Sequence, residues 1–346
     1  MGLWDAFRFA AEVSRSHAPS AGPVTTIASP WQTSQLSKIA YSDIFGGDVK
    51  TVTRAEAMKV PAVAKGRALI CGTLARQPLA KFRGESMVDP DVWMYRTDTA
   101  VSPRTRMLWT LDDLIFKGSS LWAVQRGARD RITDAVRVPP EWWEVDADLR
   151  ILVNGKPVSA EEVILIEGPQ DGLLEIGADD IRAARNMSRA WSQRVETPVP
   201  MLELHVTDLN ANLTDDEQDA LVRQWEEARR RGGTALTPAE IEAKVLGDVK
   251  TDLYVEGRNA SRLDFANFLN LPAALLEGST ATASLTYSTK ETSRNELVDL
   301  SLAFWATPVE ARLSMDDVVP AGTRTAFDVE YLSTPTQPVQ GPAHHD

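Results

Sequence analysis

The chain has 346 residues, 43% of them hydrophobic, with 37 Lys plus Arg against 49 Asp plus Glu. That length supports a buried core and about two domains, and the composition excludes an intrinsically disordered chain. The acidic balance leaves two options for nucleic acid: it is not a partner, or it is a partner that must not stick, because broad phosphate binding calls for a basic surface.

The opening "MGLWDAFRFAAEV" is amphipathic but broken by Asp5, Arg8 and Glu12, so it does not read as a secretory apolar region, and Ala6 breaks the myristoylation pattern. No run of 18 apolar residues occurs, which leaves no candidate membrane-spanning helix. Residues 18–35, with three prolines and many small side chains, read as an extended arm. Thr53 and Glu56 form a capping box, predicting a helix that runs to about Ala75 with Val60, Val63, Ala64, Ala68, Ile70 and Leu74 on its apolar face. Cys71, the single cysteine, falls inside it and reads as a small buried hydrophobe; one cysteine makes no intrachain disulfide, which fits a reducing compartment.

A short strand follows in "RQPLAKFRG", then a helix ending near Gly118 and a strand through Arg126. Asn154 and Gly155 mark a two-residue hairpin, and Ser159 to Glu162 turn the chain into "VILIEG". Segments 80–167 therefore read as mostly antiparallel β-structure with a helix among the strands. In "VPPEWWEVD", Trp142 and Trp143 alternate faces, one for the core and one for an interface.

Residues 177–196 predict a helix with Ile181, Ala184, Ser188 and Trp191 on one face, and "PVPMLELHV" a strand. Thr214 and Glu217 cap a further helix that stops at Gly232. Thr237, Pro238 and Glu240 open another, "KVLGDVKTDLYV" reads as a strand, and "ASRLDFANFLNLP" as a helix with Leu263, Phe265, Phe268 and Leu269 apolar. Ser288 and Glu291 cap a last long helix carrying Leu297, Leu300, Phe304 and Val309, which Pro308 must kink or restart. The tail "STPTQPVQGPAHHD" is Pro-rich, and no internal repeat is present.

Chemistry-bearing motifs are scarce. His17, His344 and His345 lie in segments without a core, and His205 is a lone strand histidine. No His, Cys and carboxylate spacing suits a metal, and no phosphate loop, dinucleotide fingerprint or nucleophile elbow occurs. The acidic pairs Asp112–Asp113, Asp179–Asp180, Asp215–Asp216 and Asp316–Asp317 are expected at or near helix starts, where open amides favour carboxylates. Arg229, Arg230 and Arg231 end a helix, which suits the dipole and equally an electrostatic contact with a partner. Between Glu277 and Lys290 lies an uncharged run rich in Ser, Thr and Ala, "GSTATASLTYST".

The order of segments resembles the portal proteins of tailed bacteriophages, in the compact form of long-tailed phages, over about residues 50–332. The resemblance is carried by "VPAVAKGRALICGTLARQPLAKF", "LDDLIFKGSSLWAVQR", "VPPEWWEVD", "EVILIEGPQDGLLEIGADDIRAA", "LTDDEQDALVRQWEEARRRGG", "LNLPAALLEG" and "SLTYSTKETSRNEL", in that order. A departure is Leu269 to Pro272, "LNLP", where the family often has Phe-Gly-Val-Pro.

The resemblance implies an α+β portal-type fold whose C-terminal crown is reduced or absent. Its parts would be an arm at 1–35, an α/β wing at 36–177, a first stem helix at 178–196 and an α/β clip insertion at 197–257. A second stem helix at 258–272, a tunnel loop at 273–287, a long kinked helix with closing strand at 288–332 and a tail at 333–346 would complete it. It implies a homo-oligomeric ring, usually of twelve subunits, at one capsid vertex of the virion, assembled in the host cytoplasm. Its partners would be the major capsid protein, a head–tail adaptor, a terminase motor and the double-stranded DNA passing through, with no membrane, cofactor, metal or catalytic residue. Gly278, Ser279, Thr280, Thr282, Ser284 and Thr286 would line the DNA channel, and Arg223, Arg229, Arg230 and Arg231 would dock adaptor or motor. The alternatives are another virion assembly protein, such as a capsid or tail connector, and an unrecognised hydrolase.

Overall fold

A computed structural model describes residues 51–196, 201–207, 214–230, 241–246, 255–276 and 296–329. The chain divides into two compact units, one made of Met1–Ile181 with Arg262–Asp346 and the other of Arg182–Ser261.

The first unit begins with helix α1 (Arg54–Ala57), closed by the expected capping box: Thr53 Oγ1 accepts from the Glu56 amide at 3.2 Å, and the Thr53 amide donates to Glu56 Oε2 at 3.1 Å. The predicted single helix is two. Pro61 has no N–H to donate and holds Val60 extended (φ −85°, ψ 115°), so helix α2 (Pro61–Leu74) starts afresh with Pro61 in its first turn. Its buried residues are Ala62, Val63, Gly66, Ile70, Cys71 and Leu74, whereas Ala68, expected on that face, is exposed. Gly66 is needed where it stands, since a Cβ there would clash with Leu269 Cδ1. Burial pushes the Cys71 thiol up to about 12, in keeping with an inert core residue.

Strands β1 (Leu79–Arg83) and β2 (Ser86–Val88) form a hairpin, followed by the single turn α3 (Val92–Tyr95). Helix α4 (Pro103–Lys117) starts where Ser102 caps it, accepting from the Thr105 amide at 3.1 Å, and Pro103 suits the first turn. It stops at Gly118, left-handed at φ 78° and approached so closely by Gly172 that a Cβ would lie 2.8 Å from its nitrogen. Strands β3 (Ser119–Arg126) and β4 (Ile132–Val138) follow.

Trp142 then lies exposed in a helical turn, while Trp143 opens β5 (Trp143–Val145) and packs inward, the division expected of the pair. Strands β6 (Ile151–Val153) and β7 (Lys156–Pro157) are joined through Asn154 and Gly155, at φ 50° and 72°, as the hairpin signal requires. Strand β8 (Val163–Glu167) pairs with β3, giving the antiparallel order β4-β3-β8, and β5-β6-β7 forms a second sheet. Between them lies a core of Leu121, Ala123, Val138, Ile151, Val153, Val158 and Val163.

A short turn α5 (Leu173–Ile176) leads into helix α6 (Ala178–Glu196). The second unit holds most of α6, strand β9 (Met201–Val206), helix α7 (Asp215–Arg230), strand β10 (Ile241–Leu246) and the first turns of helix α8 (Val255–Phe268). Of the strand expected across 244–255, Lys244–Leu246 end β10, which begins earlier at Ile241 and pairs with β9; Val255 already belongs to α8, and residues 247–254 lie outside the described residues. The opening of the helix predicted from Thr237 lies outside the described residues, and where its course is described, at Ile241–Ala243, the chain is strand β10 paired with β9.

Back in the first unit, α8 ends at Phe268 and a turn α9 (Ala273–Leu276) follows. A π-helical turn at Leu297–Leu302 runs directly into helix α10 (Ala303–Leu313), and β11 (Arg324–Phe327) closes the β11-β1-β2 sheet. Helix α10 continues unbroken through Pro308 instead of restarting, and Thr307 Oγ1 donates to the Ala303 carbonyl at 2.7 Å in the turn before it. The wider π turn shifts the buried face, so Leu302, Trp305, Val309 and Leu313 are buried and Leu300 is 65% exposed. Leu263, expected on the apolar side of α8, is also exposed.

Asp112 and Asp113 depart furthest from expectation. They lie in the second half of α4, not at a helix start, and both are buried. Asp112 accepts from Arg54 Nε at 2.6 Å and Arg67 Nε at 2.6 Å; Asp113 accepts from Arg137 Nε at 2.7 Å and Ser120 Oγ at 2.8 Å. Burial raises the Asp113 carboxyl above the ordinary range, and the bonds from Arg137 and Ser120 pull it back. Asp179–Asp180 and Asp215–Asp216 do open α6 and α7, whereas Asp317 follows α10 and bonds Arg312 at 2.8 Å.

Two outcomes follow. Arg137→Ala strands the Asp113 carboxylate and lowers the unfolding free energy by about 3 kcal/mol, measured by urea denaturation; Asp113→Asn combined with Arg137→Gln loses less than Arg137→Ala alone. Glu217, whose carboxylate accepts from the Thr214 amide at 2.9 Å and the Thr214 hydroxyl at 2.8 Å, titrates below the ordinary glutamate range, the amide bond being the larger cause. Its contribution to α7 is complete above the unfolded value and is lost as pH falls through the depressed folded value. NMR titration should show that low midpoint, and Thr214→Ala should raise it.

Candidate functional site

The second unit is reached through two helices. In α6, Ile181, Ala184, Met187 and Trp191 recur at helical spacing and are at least half-buried, with Met187 taking the place expected of the exposed Ser188. Helix α8 comes close to α6: a Cβ on Gly257 would lie 3.1 Å from Met187 Cε, and the Arg258 guanidinium stacks 5.1 Å from the Trp191 ring centre. The boundary between the units falls inside both helices, so the chain enters and leaves the second unit along helical backbone.

Within that unit, β9 and β10 pair antiparallel from Met201 with Leu246 to Val206 with Ile241. His205 faces Glu242 in that register and is exposed, a surface strand residue. Helix α7 half-buries only Leu221, Trp225 and Ala228, one stripe at spacings of four and three, and exposes the other described side chains. Arg223 is exposed, its Nε donating to the Asp219 carbonyl at 3.1 Å. Arg229 and Arg230 close α7, so three of the four candidate docking arginines share one helix; Arg231 lies outside the described residues.

Gly278, Ser279, Thr280, Thr282, Ser284 and Thr286 also lie outside the described residues, which end before them at Leu276 and resume after them at Glu296. On the near side, Asn270 is left-handed at φ 51° and the Leu271 amide donates to the Ala266 carbonyl at 2.8 Å, ending α8. Leu276 is buried at the end of α9. On the far side stand the π turn and α10. Two hydrogen bonds join these flanks: Trp305 Nε1 donates to the Leu269 carbonyl at 2.9 Å, and Asn270 Nδ2 donates to the Leu300 carbonyl at 3.2 Å. The sequence reading passed over Asn270 and Trp305; the signal for Asn270 was an asparagine, tolerant of left-handed backbone, two residues before a proline.

No group of three or more His, Cys, Asp or Glu among the described residues could hold a metal ion. No helix among them is long and apolar enough to cross a membrane.

Comparison places this geometry among known proteins. No curated protein sequence matches the chain. The solved structure of an HK97 family phage portal protein from Corynebacterium diphtheriae is similar at 30% identity, covering 83% of this chain and 99% of that one, with a TM-score of 0.70. A chain from the neck of a native gene transfer agent particle shares the fold at 14% identity and a TM-score of 0.55, covering 89% of this chain and 87% of its own. One from the neck of an empty particle does so at 14% identity and a TM-score of 0.56, covering 84% and 88%. The family described as phage portal protein matches residues 61–337, well over half of the sequence, and the chain belongs to that family.

Proposed function

We propose that copies of this portal protein close into a ring, usually of twelve, at one capsid vertex, and that the ring is the channel through which double-stranded DNA enters and leaves the particle. The observation that carries this reading is the paired passage of α6 and α8 into a separate unit, with an uncharged Ser- and Thr-rich segment following α8 and the short turn α9 in the chain. In a ring, the helix pair is the stem (178–196 and 258–272), the inserted unit the clip (197–257), and residues 273–287 the tunnel loop. Residues 36–177 and 288–332 make the wing.

The role is mechanical. A channel that held phosphates with lysines would stall the duplex, because each ion pair adds attraction and must be broken at every step. Thr280, Thr282 and Ser284 touch without charge and with little bulk, and a net charge of −12 discourages adhesion elsewhere. The two hydrogen bonds from Trp305 and Asn270 hold the flanks of that segment together. ATP hydrolysis belongs to a separate terminase motor. The clip, with Arg223, Arg229, Arg230 and Arg231, docks the motor during filling and a head–tail adaptor afterwards, while the wing meets the major capsid protein. Assembly takes place in the host cytoplasm, and the mature location is the virion.

Replacing Thr280, Thr282 and Ser284 together by Lys slows DNA packaging or ejection several-fold in a packaging assay and leaves ring assembly intact; unchanged packaging would remove the loop from the DNA path. Replacing Arg229, Arg230 and Arg231 by Glu weakens adaptor or motor binding roughly tenfold in a pull-down titration, and the loss shrinks at high salt.

A further inference from the structure

We infer that neighbouring copies join through two surfaces at opposite ends of the β3–β4 hairpin: a basic tip at Arg129 and Arg131, and an acidic, tryptophan-bearing face at Glu141, Trp142 and Glu144. The inference rests on the ring reading above and deepens it by naming the contact.

The tip is unusual for an L-residue turn. Arg129 and Asp130 both adopt left-handed backbone at φ 59°, with no glycine at either position. Such a turn persists only where its surroundings impose it. Here Arg126 does so: its Nη1 donates to the Asp130 carbonyl at 3.0 Å and to the Asp317 carbonyl at 2.8 Å, and its Nε to the Glu161 carbonyl at 2.7 Å. The Gly127 amide closes the loop on the Arg131 carbonyl at 2.8 Å. Arg129 and Arg131, held in this frame, are exposed and form no side-chain hydrogen bond or ion pair with another described residue. In a chain of net charge −12, two such cations at one rigid tip are a strong local departure.

The other face lies beyond the far end of the same hairpin. Val138, which pairs with Leu121, leads to Glu141 and Trp142 and then to Glu144 on β5. From Arg126 to Leu121 the hairpin spans about 17 Å, at about 3.3 Å per residue. Trp143, Val145, Ile151 and Val153 turn to the core, which leaves Glu144 on the outer side of the β5-β6-β7 sheet. Glu141 and Glu144 are exposed and bond no described partner, unlike Asp146 and Asp148 nearby, which bind Arg150. Trp142 is 38% exposed beside them.

The two surfaces are complementary and lie apart on one protomer. That is the requirement for a head-to-tail contact, in which each copy offers its tip to one neighbour and its face to the other, and such contacts close into rings. A two-fold contact would instead need one self-complementary patch. Glutamates opposite arginines set the register, and a half-exposed tryptophan is a common anchor at such a junction.

The test uses full-length protein and two variants, Arg129→Glu with Arg131→Glu, and Glu141→Lys with Glu144→Lys, followed by sedimentation velocity across a concentration series at low salt. Unchanged urea midpoints establish that each variant is folded, and Arg129→Ala with Arg131→Ala replaces the first if it is not. Each variant alone should need roughly tenfold more protein to assemble. Mixed in equal amounts they should recover assembly, because alternating copies place opposite charges at every junction. Variants that assemble like the parent, or a mixture that fails to recover, overturn the contact while leaving the ring reading standing. A parent chain that stays monomeric throughout overturns both.

Discussion

The first unit depends on neutralising two adjacent aspartates inside a helix that is buried along most of its length. Helix α4 lies against α2 on one side and against β3 and β4 on the other, so any charge on it must be met within the fold. Asp112 is met by Arg54 of α1 and Arg67 of α2, and Asp113 by Arg137 and Ser120 from the sheet. Neighbouring carboxylates on one helix thus tie the helical layer to the sheet in two directions. A third charge, Arg106, is sealed in by the same helix: it donates to the Ala135 and Trp93 carbonyls and stacks 4.6 Å from the Trp122 ring centre, and burial lowers it to about 10. Ion pairs of this kind add little net stability over an apolar core, but they tolerate few alternative packings, because each misplaced element strands a charge.

Features set by neighbours in the chain were legible beforehand. The Thr53–Glu56 box, the glycine stop at Gly118 and the Asn154–Gly155 turn are closed within a few residues, so local chemistry decides them. The aspartate pair was misread for the opposite reason. The arginine partners of Asp112 and Asp113 lie 58, 45 and 24 residues away, and nothing in a local window separates a buried ion-paired carboxylate from one that caps a helix. Pro61 was overlooked as a break because the apolar periodicity carries across it, while the missing N–H does not. In α10 the π turn displaced the buried face in a way a strict 3.6-residue period cannot follow.

The family was legible in the order of segments, though no single motif was sharp enough to carry it. The elements proposed for function were legible unevenly. Helix α6 was found to the residue and α7 with Arg223, Arg229 and Arg230 was placed correctly, whereas α8 starts at Val255, five residues before the stretch that reads as helical, and ends at Phe268. What escaped was the anchoring by Asn270 and Trp305, since each bonds a backbone carbonyl about thirty residues or more distant, 30 for Asn270 and 36 for Trp305. Those bonds tie the end of α8 to the π turn and α10.

A portal works by shape and by what it withholds. In the proposed role, the uncharged Ser- and Thr-rich segment and the acidic balance of the chain both serve a duplex that must slide. The most direct measurement is an electron cryomicroscopy reconstruction of the purified oligomer viewed along its axis. The account predicts a closed ring with a central hole wide enough for duplex DNA and with residues 273–287 at its narrowest point. A reconstruction with those residues on the outer rim, or an oligomer without an axial hole, would contradict it.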